Sequence, residues 1–142
     1  MDSKAELVHR LHVEAYQEGN LEVADELLAD DYEEHNPVGM EGVEGPEGYK
    51  QVVEVFRAGF PDLTVDIHET MVDGDLTLIR YTVRGTHEGP LLGIDPTGNE
   101  IEIAGMDIGR VEDGELQESW VQLNTFGLLQ QIDVLPDDSE LF

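Results

Sequence analysis

Up to Phe60 the apolar residues recur at helical spacing; beyond it they alternate with polar ones. Leu7, Val8, Leu11 and Ala15 form one stripe. It is entered through Ser3 with Glu6 three residues on, a capping box, and closed by Gly19-Asn20. Leu21, Ala24, Leu27 and Leu28 repeat the stripe in a shorter second helix. Asp30 to Gly45 carries His35-Asn36-Pro37 and several glycine or proline breaks, and reads as a loop. Pro46 suits the first turn of a third helix with the stripe Tyr49, Val52, Val53 and Phe56, and Gly59 and Pro61 end it.

From Leu63 the period is two. Leu63, Val65, Ile67 and Met71 alternate with polar residues up to a turn at Asp73-Gly74. A second strand covers about Leu76 to His87, and Glu88 to Asn99, rich in glycine and proline, is a loop. A third strand spans about Glu100 to Val111, Asp113-Gly114 turns it, and a fourth runs about Leu116 to Thr125. Phe126, Leu128, Leu129 and Ile132 suggest a short closing helix, and residues 137–142 a frayed tail. Helices first and a meander second imply an α+β fold, with helices on one face of an antiparallel sheet. One domain over residues 1–142 is expected.

Composition narrows the function classes. A chain of 142 residues with 39% hydrophobic content can bury a core and is no disordered acidic tail. No apolar run is long enough to cross a bilayer, and the start MDSKAELVHR is no signal peptide, so a cytoplasmic location is expected, with no membrane partner. The absence of cysteine excludes disulfides, thiolate nucleophiles and zinc–sulfur sites. Seven Lys and Arg against 33 Asp and Glu give a net charge of −26, which repels phosphate backbones and argues against nucleic acid as a partner. The same charge opposes compaction at low ionic strength, and molar salt relieves it. The only lysines are Lys4 and Lys50, and the chain reads as a halophile's cytosolic protein. The alternative, an acidic Mg²⁺- or Ca²⁺-binding protein, lacks a calcium-loop spacing.

Candidate chemistry depends on strand register. If Asp113-Gly114 is a two-residue type I′ turn, Ala104 faces Leu123, Met106 faces Val121 and Ile108 faces Ser119 on an apolar side. Asp107 then lies opposite Trp120, Gly105 opposite Gln122 and Ile103 opposite Asn124. A one-residue slip would put Arg110 and Met106 on the Trp120 face instead, and the first register is preferred because it segregates polarity better. Trp120, Gln122 and Asn124 share a face in either register: an aromatic platform with amides that suits a carbonyl- or hydroxyl-bearing ligand, or a core tryptophan with satisfied neighbours. Asp107, between Met106 and Ile108, is a candidate proton shuttle; the alternative is a carboxylate bonded to backbone or to Trp120 Nε1. His87 continues the apolar face of Ile79, Tyr81 and Val83, and His35 lies in a loop able to fold over helix ends. His68 reads as solvated, and His9 and His12 receive no role. Phosphate-loop, H-E-x-x-H and G-x-S-x-G motifs are missing.

Six ordered segments resemble the SnoaL-like polyketide (ester) cyclases, a branch of the nuclear-transport-factor-2-like superfamily. They are D-Y-x-x-H-N-P at Asp31–Pro37, G-x-x-G-Y-x-x-x-V around Gly45–Val53, F-P-D-L at Phe60–Leu63, G-D-L-x-L-I-R-Y-T-V-R-G-T-H-E-G at Gly74–Gly89, D-P-T-G-N-E at Asp95–Glu100, and D-I-G-R-V-E-D-G-E-L-Q-E-S-W at Asp107–Trp120. The resemblance implies a cone-shaped α+β barrel whose bent sheet and helices enclose one pocket, and a homodimer formed through the sheet's outer face. It also implies ring closure by intramolecular aldol condensation without metal or organic cofactor. Family pockets draw on positions matching His35, His87 and Trp120 onwards. Catalytic relatives carry an acid/base aspartate where this chain has Asn124, and an amide cannot exchange protons in that role.

The leading expectation is a cyclase- or isomerase-like enzyme on a small organic carbonyl compound. Asp107 is the base, Trp120, Gln122 and Asn124 position substrate, and His35, Tyr81 and His87 line the pocket. The rival is a non-catalytic small-molecule-binding domain. An epoxide hydrolase would need an Asp–Arg–Asp set that Asp107 and Arg110 alone do not supply.

Overall fold

In the computed structural model, which describes residues 1–36 and 42–141, helices pack against one face of a curved six-stranded sheet. Pro37, Gly39 and Phe142, read above as loop breaks and tail, lie outside the described residues. The first helix, α1 (Ser3–Arg10), runs on as a π-helical segment (Leu11–Gln17). Its cap is not the expected Ser3–Glu6 box. Asp2, one residue earlier, accepts from the Lys4 backbone N–H at 2.7 Å, which places a negative charge at the helix start. Helix α2 (Glu22–Leu27) follows, and Leu28 opens a strand rather than extending the helix.

That strand, β1 (Leu28–His35), and the short β2 (Val43–Glu44) occupy a segment whose sequence reads as loop. Acidic residues are poor strand formers, yet Tyr32 and Glu34 alternate inward and β1 is held by a long-range partner, so tertiary pairing overrides propensity. Next come α3 (Gly45–Gly59), β3 (Thr64–Asp73), β4 (Leu76–Thr86), β5 (Glu100–Glu112), β6 (Glu115–Leu123), α4 (Thr125–Gln131) and the one-turn α5 (Asp138–Leu141). The strand order is β2-β1-β6-β5-β4-β3, antiparallel except for the parallel β1–β6 pair. The loop joining β3 to β4 is Gly74-Asp75, one residue later than expected, with Gly74 at φ 61°.

Helix α3 buries Tyr49, Val52, Val53 and Phe56 against the sheet, and each such side chain contributes about 1.5–3 kcal/mol on leaving water. Arg57 reaches from α3 to cap the π-helical segment, donating through Nη1 to the Tyr16 and Gln17 carbonyls at 2.7 and 2.8 Å. Gly19, at φ 77°, lies directly beneath that guanidinium.

The β5–β6 register overturns the preferred pairing. Next to the turn it runs as expected, Glu112 with Glu115 and Val111 with Leu116, and Asp113 and Gly114 both have positive φ. Beyond it Gln117 bulges, so Arg110 pairs with Glu118, Ile108 with Trp120 and Asp107 with Val121. One extra residue exchanges the faces of everything further along. Gly105, Asp107 and Gly109, inward by the alternation of β5 itself, therefore have Ser119, Val121 and Leu123 beside them, whereas Met106, Ile108 and Arg110 share the outer face with Glu118, Trp120 and Gln122. Polarity misleads because the outer face is itself apolar in part: Met106 is 51%, Ile108 42% and Trp120 36% exposed.

Candidate active site

Between the sheet and the helices lies a cavity of about 70 Å³. Its walls are mainly apolar, with Leu11, Val52, Phe56 and Ile79 among them, and its ionisable groups are His12, Tyr16, Tyr32, Glu34, Tyr49, Tyr81 and Asp107, joined by the hydroxyls of Thr77 and Ser119.

Asp107 is held on both oxygens. Tyr81 Oη donates to Oδ1 at 2.9 Å, and His12 Nε2 lies 3.1 Å from Oδ2. Strand geometry provides this, because Tyr81 on β4 pairs with Gly105 on β5, two residues before Asp107 on the same face. A Cβ at Gly105 would sit 2.5–2.7 Å from two ring carbons and the phenolic oxygen of Tyr81, so only glycine lets that ring lie across the strand. Gly109, two residues after Asp107, is crowded in the same way by Leu116 and Thr77.

The histidine's proton can be assigned from its partners. His12 Nδ1 is 2.8 Å from the Val8 carbonyl, which can only accept, so Nδ1 carries hydrogen. A bare Nε2 lone pair facing a carboxylate would repel it; one proton is therefore shared between Nε2 and Asp107 Oδ2. Burial opposes charge on His12, but the Asp107 hydrogen bond and charge, the Val8 carbonyl and Glu34 outweigh it and raise its pKa above 6.5. The π-helical segment carries His12 and Tyr16 one above the other, four residues apart, with ring centroids 6.4 Å apart.

Glu34 is the second carboxyl group in the cavity and is only 5% exposed. Burial drives its pKa up to about 7; the Tyr32 hydrogen bond pulls it down, the Asp107 charge pushes it up and His12 pulls it down. Tyr32 Oη donates to its Oε1 at 2.8 Å. Burial also lifts Tyr16, Tyr32, Tyr49 and Tyr81 well above 10, so these phenols stay protonated donors. The arrangement offers a shared-proton base, a carboxyl that stays protonated up to about pH 7 and phenolic donors around a small apolar space.

The profile of the SnoaL-like polyketide cyclases matches residues 6–132. The chain belongs to the SnoaL-like polyketide cyclase family. Among solved structures it is similar to TsrD from Streptomyces laurentii, at 28% identity over 95% of this chain and 99% of that one, TM-score 0.83. It is similar also to IdmH, a candidate polyketide cyclase from Streptomyces antibioticus, at 30% identity over 94% and 100%, TM-score 0.80. A SnoaL-like protein from Jannaschia sp. CCS1 shares 25% identity over 94% of both chains, TM-score 0.83. Among curated proteins none matches.

Within this SnoaL-like fold the residues named from sequence separate into two groups. Asp107 and Tyr81 line the cavity together. The other five do not. Trp120 and Gln122 face outward because of the Gln117 bulge. His35 is outside too, stacked on Trp120 at 5.5 Å with Nε2 2.6 Å from Glu118 Oε2. Asn124 is exposed and caps α4, its Oδ1 accepting from the Gly127 N–H at 2.9 Å. His87 is fully buried beside Phe60, with Nδ1 accepting from the Thr97 N–H at 3.2 Å, so its role is to anchor the 87–99 loop. Among the described residues one trio, Glu33, His35 and Glu118, brings metal-type donors within 4.8 Å of one another. It sits on the outer side, and Arg110 already pairs with Glu118 at 3.4 Å.

His12, Tyr16, Tyr32 and Glu34 are the site residues missed from sequence. The V8-H12-Y16 spacing of four beside the core stripe was the available sign for the first two. Gly105-x-Asp107-x-Gly109, small residues alternating around an acid in one strand, was the sign for the cleared floor beneath Asp107.

Proposed function

We propose that this SnoaL-like protein is a cofactor-independent cyclase- or isomerase-type enzyme that removes an acidic C–H proton beside a carbonyl group of a small organic compound. The observation behind this reading is Asp107, held by His12 and Tyr81 at the wall of an apolar cavity. Asp107 takes the proton, His12 holds the shared proton that compensates it, and Tyr81 keeps the carboxylate aimed. Size supports a small substrate or one arm of a larger one. The cavity of about 70 Å³ is roughly half the ~150 Å³ that takes benzene.

The test uses ethyl acetoacetate in mildly acidic, KCl-containing D₂O, with deuterium entry at its central carbon followed by ¹H NMR. Wild type should exceed the buffer rate, and Asp107→Asn should lose ~10²–10⁴-fold of the enzyme's contribution. Equal rates from two folded proteins would end the assignment of Asp107. The rival reading, a non-catalytic binding domain, draws on Asn124 serving as a helix cap rather than an acid/base group. Ligand-induced shifts in the protein spectrum without exchange above background would favour it.

Three wider properties belong to the same proposal. The outer patch of Met106, Ile108 and Trp120 seats a second copy of the chain as a homodimer, which light scattering of wild type against Trp120→Glu checks. The charge of −26 marks adaptation to molar salt. A cytoplasmic site of action fits that reading. Among the described residues no helix is long and apolar enough to cross a membrane.

A further inference from the structure

We propose that Glu34 is the acid partner of that base. Its free carboxyl oxygen delivers a proton to the substrate carbonyl while the Asp107–His12 pair takes the C–H proton, which fits the site to β-dicarbonyl compounds. This deepens the reading above and rests on it.

Placement comes first. Glu34 stands on β1 opposite Ser119 of β6, and Asp107 on β5 opposite Val121 of β6, so β6 holds the two carboxyl groups on the same cavity. Glu34 is used on one side only. Oε1 accepts from Tyr32, and among the described residues Oε2 has no hydrogen-bond partner. The one described side-chain polar atom that is both sealed from solvent and unpartnered is His87 Nε2. Glu34 Oε2 therefore keeps some accessible surface, in a residue that is 5% exposed and lines the cavity. No Lys or Arg among the described residues forms an ion pair with it. Burial outweighs the opposing pull of Tyr32 and His12, so the carboxyl holds its proton up to about pH 7.

Charge balance gives this neutral acid a task. If Asp107 alone took a proton, the Asp107–His12 pair would pass from neutral to positive and the substrate to a bare enolate inside a low-dielectric space. With Glu34 the step closes without a free enolate. The C–H bond breaks and its electrons form the C=C bond, while the carbonyl π electrons bond the proton leaving Glu34 Oε2. The enol is neutral, Glu34 becomes the anion, and the positive pair faces it across the cavity. The titratable groups that line the cavity with Glu34 agree with this direction. They are His12 and Tyr16 from the first helix, Tyr49 from α3, Tyr81 from β4, Asp107 from β5 and Tyr32 from its own strand. Only His12 among them bears positive charge, and Asp107 and His12 oppose each other at Glu34.

A β-dicarbonyl compound matches a cavity with one base and one acid. The carbon between its carbonyls bears the acidic hydrogen, and one carbonyl oxygen takes Glu34 while the second is free for a phenol. Tyr16 Oη has no partner among the described residues and is not sealed, so it can supply that hydrogen bond.

The experiment measures deuterium entry into ethyl acetoacetate across pH for wild type, Asp107→Asn, Glu34→Gln and Tyr32→Phe, each first checked for folding by circular dichroism. In Glu34→Gln the amide keeps the Tyr32 hydrogen bond but cannot donate a proton as an acid. The rate should fall about 10²-fold, and the decline of wild-type activity above neutral pH should vanish. Tyr32→Phe removes the bond that favours ionised Glu34, so its decline should move to higher pH, which tests the assignment even if Glu34→Gln does not fold. Wild type no faster than buffer overturns both the proposal and the function on which it rests. An active wild type, an inactive Asp107→Asn and an unimpaired Glu34→Gln overturn only the role of Glu34. A Glu34→Gln rate that falls while the alkaline decline persists also overturns it, since a packing defect would do that.

Discussion

Replacing Glu34 by glutamine should make the protein more resistant to rising pH, and the effect can be sized without any substrate. The folded chain raises this carboxyl from 4.5 to about 7. At ~1.4 kcal/mol for each pKa unit, that corresponds to about 3 kcal/mol. The sign follows from proton binding. The folded state holds the proton more tightly than the unfolded chain, so this contribution is complete below the unfolded pKa near 4.5. It is lost as pH rises through about 7. The amide of Glu34→Gln keeps the Tyr32 contact and has no proton to lose. Wild type should therefore lose about 3 kcal/mol relative to Glu34→Gln between those limits, a large part of a typical 5–15 kcal/mol stability. Urea unfolding of both proteins at constant molar KCl, repeated across pH, gives the difference directly, because the titration of the other 32 Asp and Glu residues is common to both. A difference that stays constant from acid to alkaline pH would refute the buried-acid argument.

Gly105→Ala should push the Tyr81 ring off Asp107, lowering stability by about 1–3 kcal/mol and slowing exchange; an unchanged melting temperature and rate would show that the ring does not need that space. Asn124→Ala should cost α4 about 1 kcal/mol in urea unfolding while Asn124→Asp keeps the cap, and neither should alter exchange. A gain of activity in Asn124→Asp would mean that this side chain reaches the substrate after all. Melting temperature should climb steeply from low to molar KCl, and a flat profile would remove the halophile reading.

The parts of the fold legible in sequence are those whose burial repeats regularly. Tyr49, Val52, Val53 and Phe56 announce α3, and Ile79, Tyr81 and Val83 announce β4, because local period and tertiary burial agree there. The strand β1 was hidden because L-A-D-D-Y-E-E-H has the composition of a loop and its pairing partner β6 lies more than eighty residues away. In the site, the β6 residues that accompany Asp107 depend on Gln117, a residue that no local pattern marks as a bulge. Trp120 reads as an aromatic platform beside Gln122 and Asn124, yet the same bulge turns it outward. His12 went unassigned because a histidine beside a helix stripe looks the same whether it faces solvent or an acid ninety-five positions later.

The π-helical segment has a consequence for exchange with solvent. Its i→i+5 turns are a rarer form than the α-helix before it, and Arg57 pins only its last two residues, Tyr16 and Gln17. Backbone amides of residues 11–15 should then trade hydrogen for deuterium sooner than those of β4 and β5, which are paired on both sides. A cavity of about 70 Å³ admits a larger guest only when one wall yields. The helical wall carries His12, so on the function proposed above the protein's breathing and its proton chemistry would share a single turn of helix.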